Sequence, residues 1–565
     1  MRKLRFGKFY SILGLVALSS WGSGVSYGEG AKLIHLGWDQ PTTAFVRDHW
    51  QELEASAPFD GVTVTAEFSH EGVTHEDHGV MLEEKWPRES LKTALENLRS
   101  AKFSRLKNNF LRVNSPPTYV DWFDDGKWDA VCANVANMAW LAKEAGFKGI
   151  CFDPEQYQSK QYTWMADKGH SFEETSAMAR KRGAQLMSAI VAEYPDITVW
   201  SLWLFAKTLV FTEKENISKV LAGIDYGLWP AFINGWLDAL PPGARLVEGM
   251  EDAYYFQNLG EFGDAYGALK NVDGPLLKNL LAPENRIKYQ TQVSVSYGIY
   301  LDAFLDDASS SYYLGALRGG SRIDRLRQTL RTALDLADDY VWLYGEQVRW
   351  WPINTPTWQK GGRFLTAASA RPGKGQLAED AFPGITKSVN LARDPAGTVA
   401  QILKEAGKEA LPNLLGQSDF SKLEGAENAA EGWWKWERED SKGTIEMNGK
   451  GEVCFSKVLN GVLAQNVSVK VGKVYAFEVW MKQVGAGHGG VDVRWQTADA
   501  KWTAMVKTRA FEAEAKATND GWQKISSVVT APAGVSRLVF LLSATNQKTA
   551  EDKICFKDPR LYEVP

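Results

Sequence analysis

Gly146-Phe-Lys-Gly-Ile-Cys-Phe-Asp-Pro-Glu-Gln-Tyr157 joins the end of a helical pattern to a short apolar run and then to two acids. Upstream, Lys127 to Ala145 carries apolar residues at Val131, Val135, Met138 and Leu141, the period of a helix, and Gly146 suits the turn that ends one. Gly149 to Asp153 is then a short apolar run of strand length, and Ser176 to Tyr194 returns to helical period. Alternation of this kind is the mark of parallel β/α units.

Working outward, eight β-rich runs can be counted: Leu33 to Trp38, Gly61 to Phe68, Phe110 to Asn114, Gly149 to Asp153, Thr198 to Phe205, Arg245 to Glu251, Val293 to Asp302 and Tyr340 to Glu346. Eight β/α repeats predict an α/β domain of the (β/α)8 TIM-barrel type, with functional groups where each strand ends and its loop begins. An open doubly wound sheet is the alternative, but no G-x-G-x-x-G or P-loop follows the first run. After about residue 411 the pattern changes to short alternating strands with Gly and Asn turns: Gly451 to Ser456, Val474 to Met481, Gly490 to Gln496, Trp522 to Val529, Ser536 to Ser543 and Lys553 to Phe556. That predicts an all-β jelly-roll sandwich over 412–565, after a catalytic barrel over 29–411. Cys454 and Cys555 both fall in its strand-like runs, where either a bridge or two free thiols is compatible with the sequence.

The N-terminus reads as an export signal over 1–28. Arg2, Lys3, Arg5 and Lys8 precede the short apolar run Ser11 to Leu18, with small residues at Ser26 and Gly28. Its removal takes the net charge from −5 to −9, and no later run is long enough to span a membrane, so a secreted or periplasmic protein is expected. Without a basic stripe, nucleic acid is not an expected partner. No cofactor is implied. The 23 Trp among 565 residues exceed ordinary usage several-fold, which calls for a ligand that uses indole faces.

Alternate positions at the tip of the fourth run deliver Asp153, Glu155 and Tyr157, which an extended chain would place on one face. Two crowded carboxyls cannot both ionise freely, so one holds its proton near neutral pH and can act as a general acid. Cleavage of a glycosidic bond asks for such a group and for a second carboxylate on the sugar side. Glu248 and Glu251, after the sixth run, are the leading candidates for that partner, with Asp302 and Glu346 behind them. Each of these acids has a competing role as a helix cap or an ion-pair partner.

Aromatic and amide groups gather at the same strand ends: Trp38, Asn114, Trp203, Tyr254 and Trp342 join Tyr157, Asp302 and Glu346 as candidate substrate contacts. Sugar C–H faces stack on indole rings while hydroxyls seek polar partners. Ser69 to His78 holds His70, His75 and His78, but in no tight ligand spacing, so a hydrogen-bonding loop is expected and no catalytic metal. No G-x-S-x-G elbow marks a serine nucleophile.

Phe147-Lys-Gly-Ile-Cys-Phe-Asp-Pro-Glu155 resembles the fourth-strand signature of family 18 glycosidases and their relatives. The resemblance implies Glu155 as general acid and Asp153 as the group that orients a substrate acetamido; Lys148 and Cys151 stand where that signature carries earlier acids. The last quarter, from Asn413 through Gly432-Trp-Trp and Asp520-Gly-Trp-Gln-Lys to Cys555-Phe-Lys-Asp-Pro-Arg-Leu-Tyr562, is similar to carbohydrate-binding modules of the family 4 and 9 type. The expectation is therefore an exported glycoside hydrolase with a carbohydrate partner. The competing classes are a non-catalytic carbohydrate-binding barrel, and a lyase or esterase.

Overall fold

The computed structural model describes residues 30–564 apart from 210–215, 276, 318–319, 352–375, 407–410, 422–431, 449–450, 504–508, 512, 514–516 and 533, so the stretch read as an export signal lies outside the described residues. The chain divides into two compact units, one running to Leu314 and resuming over Thr329–Thr386, the other formed by Gly315–Gln328 and Lys387–Pro565. Among the described residues, no helix is long and apolar enough to cross a membrane.

The first unit is organised by one curled sheet of nine parallel strands: β1 (Lys32–Gly37), β2 (Gly61–Val64), β3 (Phe110–Asn114), β4 (Gly149–Asp153), β5 (Thr198–Ser201), β6 (Arg245–Glu248), β7 (Val293–Val295), β8 (Gly298–Tyr300) and β9 (Tyr340–Gly345). Their order is β8-β9-β1-β2-β3-β4-β5-β6-β7. Every β4 position is buried, as a strand covered on both faces requires, which is why its sequence is a continuous apolar run. The register brings Asn114 beside Asp153 and Ser201 beside Glu248, so the polar ends of neighbouring strands lie level. Helices Asp125–Glu144 and Phe172–Glu193 flank β4 in the chain. The second opens on a capping box in which Ser171 and Glu174 satisfy each other's backbone N–H groups.

The two ends of the sheet order, β7 and β8, are consecutive in the chain, with only Ser296 and Tyr297 between them. Hydrogen bonds continue through this break: Ser296 N donates to Glu248 O (2.8 Å), Gly298 N to Met250 O (3.3 Å) and Trp342 N to Tyr297 O (3.1 Å). Aromatic rings fill the space the sheet curls around, with Phe110 to Trp200 at 5.6 Å, Phe110 to Tyr340 at 5.4 Å and Trp200 to Trp342 at 5.6 Å. Gly298 is needed here, because a Cβ on it would lie 2.6 Å from the Trp342 ring and 2.8 Å from that of Tyr254.

Three of the eight runs end three or more residues earlier than their composition suggests. The second stops at Val64, and Phe68–His70 instead pairs antiparallel with Val73–His75. The fifth stops at Ser201 and a short helix starts at Ala206. The sixth stops at Glu248, after which Met250 takes a left-handed conformation and a 3-10 turn, Glu251–Tyr255, follows. β-type residues outlast the strands because loops at this end of the sheet are themselves buried.

In the second unit, Trp434–Glu437, Asn460–Ser468, Arg537–Thr545, His488–Gln496 and Arg509–Phe511 form one five-stranded sheet in that order. Thr444–Met447, Glu452–Ser456, Lys553–Val564, Val474–Val484 and Gln523–Thr530 form the other. Leu463, Phe540 and Leu542 of the first meet Phe477, Val479, Ile525 and Phe556 of the second in one buried core, with Trp433 and Trp495 inside it. Trp436 and Trp502 remain exposed. Cys454 and Cys555 stand directly opposite on neighbouring strands and are joined by a disulfide that closes a separation of 101 residues. A bridge over so long a loop restricts the unfolded chain strongly, so replacing both cysteines by Ser should cost about 2–5 kcal/mol. Thermal melts of the variant against the oxidised parent check this.

Candidate active site

The site is built from the β4 tip outward. Asp153 ends the strand fully buried; its Oδ2 accepts from Arg112 Nη2 (2.5 Å) and Asn114 Nδ2 (3.0 Å), both on β3, and its Oδ1 accepts from the Glu155 N–H (3.0 Å). That last bond turns the chain at Pro154, so Glu155 leaves the strand face instead of continuing its alternation. Tyr157 is exposed on the rim, and its hydroxyl donates to Glu155 Oε2. Burial, then the neighbouring Asp153 charge, pushes the Glu155 carboxyl up to about 7, against the opposing cations Lys207 and Arg112. The third-strand amide, Asn114, thus serves the acid pair, and both oxygens of the Asp153 carboxylate accept hydrogen bonds.

The two acids expected after β6 part company. Glu248 is buried and accepts the backbone N–H groups of Leu204 (2.9 Å), Phe205 (2.8 Å) and Ala206 (3.0 Å), which makes it the anchor that starts the short helix Ala206–Leu209. Replacing Glu248 by Ala strands these donors, and the unfolding midpoint should fall by the equivalent of about 3 kcal/mol or more. Calorimetry reads the loss. Glu251 instead faces Glu155: burial first, then the Glu155 charge, raises its carboxyl well above the usual range, and Lys207 Nζ lies 3.7 Å from its Oε2. Asp252, beside them, is raised mainly by burial and held down by the same lysine.

Aromatic groups line the side formed by β8 and β9. The rings of Tyr254, Tyr300 and Tyr344 lie nearly parallel, with Tyr254 to Tyr300 at 5.2 Å and Tyr300 to Tyr344 at 5.8 Å. Trp38 donates its indole N–H to the Tyr344 hydroxyl (2.7 Å), which in turn donates to Glu346 Oε1 (3.2 Å). Asp302 accepts the Glu346 N–H (3.1 Å) and is pushed up to about 7 by burial and by the Glu346 charge. Trp203 and Trp342 differ from expectation: each is 1% exposed, Trp342 donating to Gly249 O (2.8 Å) and Trp203 lying under the Lys207 ammonium at 4.2 Å. They are packing residues that shape the wall from behind, as bulky rings in a small sheet interior tend to be.

Sequence reasoning missed Arg112, Lys207, Tyr344 and Asp77. Arg112 had a signal, a cation in the middle of the apolar run Phe110-Leu-Arg-Val-Asn114, whereas Lys207 follows a strand end that the sequence misplaces. Burial pushes Asp77 up to about 7 against the pull of Arg112. In the histidine loop, the His70 and His75 rings stand 6.3 Å apart, and His78 meets the edge of Tyr157 at 5.6 Å. Among the described residues, no group of three or more His, Cys, Asp or Glu is arranged to hold a metal ion.

No family model and no curated protein matches the chain, so the family 18 resemblance rests on its own ten or so residues. Solved structures similar to parts of it include a CBM4 module (15% identity, TM-score 0.20, covering 26% of this chain and 99% of that one) and TmCBM61 in complex with β-1,4-galactotriose (16%, TM-score 0.19, 27% and 99%). The enzymatically active domain of bacteriophage CBA120 tailspike protein 4 is similar at 9% identity and TM-score 0.17, over 23% of this chain and only 18% of that one. The matched stretches are thus short fractions of this chain, drawn from carbohydrate-binding modules and a tailspike domain.

Proposed function

We propose that the chain is an exported glycoside hydrolase whose first unit is a closed (β/α)8 barrel, with β7 and β8 as two halves of a seventh strand that bends at Ser296 and Tyr297. Glu155 is the general acid, and Glu251 is the carboxylate on the sugar side. The observation that carries the reading is the meeting of these two half-buried carboxyls from different strand ends, both raised by burial and Glu251 further by the Glu155 charge, with Lys207 beside Glu251 opposing the rise in each. Such a pair holds one proton near neutral pH, the protonation state that glycoside hydrolysis needs.

Glu155 protonates the departing glycosidic oxygen while Glu251 faces the charge that develops on the sugar carbon. Asp153, which accepts from Arg112, Asn114 and the Glu155 N–H, holds the acid in place. The Tyr254, Tyr300 and Tyr344 rings give the sugar a stacking wall. In the second unit, exposed Trp436 and Trp502 are the rings through which the sandwich would dock on a glycan. Digestion of a glycan library by the full chain tests the reading: release of reducing ends from at least one glycan is expected, and release of none removes it.

A further inference from the structure

Beside Glu155 lies a set of polar atoms that neither carboxyl uses. Asp77 Oδ2 is held by Gln40 Nε2 (3.2 Å) and Thr65 Oγ1 (3.1 Å), while its Oδ1 is buried without a hydrogen-bond partner among the described residues. Arg112 commits Nη2 to Asp153; its Nε, 4.0 Å from Asp77 Oδ2, is likewise buried and without a partner. Asn114, fully buried, gives Nδ2 to Asp153 and keeps Oδ1 without a partner. Buried polar atoms left in this state are costly, and three in adjoining side chains mark a place built for a ligand. The Arg112 and Asp77 side chains remain 17% and 12% exposed, so solvent reaches parts of both although the three unpartnered atoms are themselves buried, and Arg112 acts electrostatically on Glu155.

Charge decides the ligand class. An anion would face Asp77 and Asp153, and a cation would face Arg112, so neither is favoured. Two acceptors and one donor suit a neutral molecule with two O–H groups, one of which also accepts. We propose that Asp77, Arg112 and Asn114 form the specificity subsite for a pair of adjacent hydroxyls on the sugar ring next to the bond cleaved. This rests on the hydrolase reading and names the part of the substrate that the site recognises.

The test separates the two claims because it reads binding in a protein that does not turn over. The full chain carrying E155Q is titrated with the methyl glycosides of glucose, galactose, mannose and xylose and with their single-deoxy derivatives, followed by saturation-transfer NMR. At least one parent glycoside should bind, and removal of either of two neighbouring hydroxyls should weaken it about tenfold or more, as expected when a buried polar group loses its partner. Adding D77N should weaken the parent about tenfold and make the protein indifferent to at least one of those deoxy changes. Equal affinity across the deoxy series, unchanged binding with D77N, or no binding of any parent overturns the subsite. The deoxy series is run with Trp436 and Trp502 replaced by Ala, so that the sandwich rings do not supply the signal, and it stands even if D77N does not fold. Hydroxyl-dependent binding by E155Q, with no product released by the wild type, would uphold the subsite while removing the hydrolase reading.

Discussion

Glu155→Gln should cut product release from a responsive glycan by about 10²- to 10⁴-fold, the range expected when a general acid loses its proton. Gln preserves the shape and can still accept from Tyr157, so the loss would fall on kcat with little change in substrate binding. With its carboxyl at about 7, Glu155 is protonated below that pH, so wild-type kcat/KM should decline on the alkaline side above about 7. Stability should move the other way. A carboxyl whose folded proton affinity is raised makes the folded state less favourable as pH climbs from the ordinary carboxylate range through about 7. The Gln variant, free of that charge, should therefore melt above the wild type at pH 8 and close to it at pH 4. Equal product release by the two proteins would take Glu155 out of the chemistry.

Glu251→Gln should be comparably damaging, about 10³-fold, because a neutral amide cannot balance positive charge developing on the sugar. It carries a second signature. Burial and Asp153 raise Glu155 while Lys207 opposes them, so with the Glu251 carboxylate gone the Lys207 charge bears more fully on Glu155 and lets it lose its proton at lower pH. The alkaline limb of the residual activity should then shift downward. Because Lys207 loses its near partner in the same variant, Lys207→Met in an otherwise intact chain should shift that limb upward. A pH profile of each variant on one substrate distinguishes the pair from two independent carboxylates: in the independent case the limb moves with Lys207→Met and stays in place with Glu251→Gln.

Much of the first unit was legible because its strands are covered on both faces. Gly149 to Asp153 is apolar up to its terminal acid and Phe110 to Asn114 apart from Arg112 and Asn114, and the structure keeps the bounds of both. Legibility failed where a strand meets its loop. Val-Trp-Ser-Leu-Trp-Leu-Phe205 is apolar except for Ser201, yet the strand stops there because the Glu248 carboxylate, distant in sequence, captures three N–H groups beyond it. The same long-range bond separates the roles of Glu248 and Glu251, which spacing alone leaves equivalent. Asp153 and Glu155 could be found from their place after an apolar strand. Lys207 and Asp77 could not, since their importance lies in which strands bring them together. In the sandwich, Asn460–Ser468 and Trp434–Glu437 went unread, because polar residues such as Asn460, Gln465 and Asn466 interrupt the alternation that marks a half-buried strand.

The pairing of β1 with β9 has a consequence for biosynthesis. All six residues of β1 bond to a strand that begins at Tyr340, some three hundred residues later. Closing a loop of that length adds little to the equilibrium cost, since the entropy grows only with the logarithm of loop size. Its burden is temporal. At ordinary elongation rates the N-terminal strand waits tens of seconds on the ribosome with one edge unsatisfied. Over that interval the nascent chain offers an adhesive β-edge, so its yield should rise when holding chaperones are supplied during synthesis.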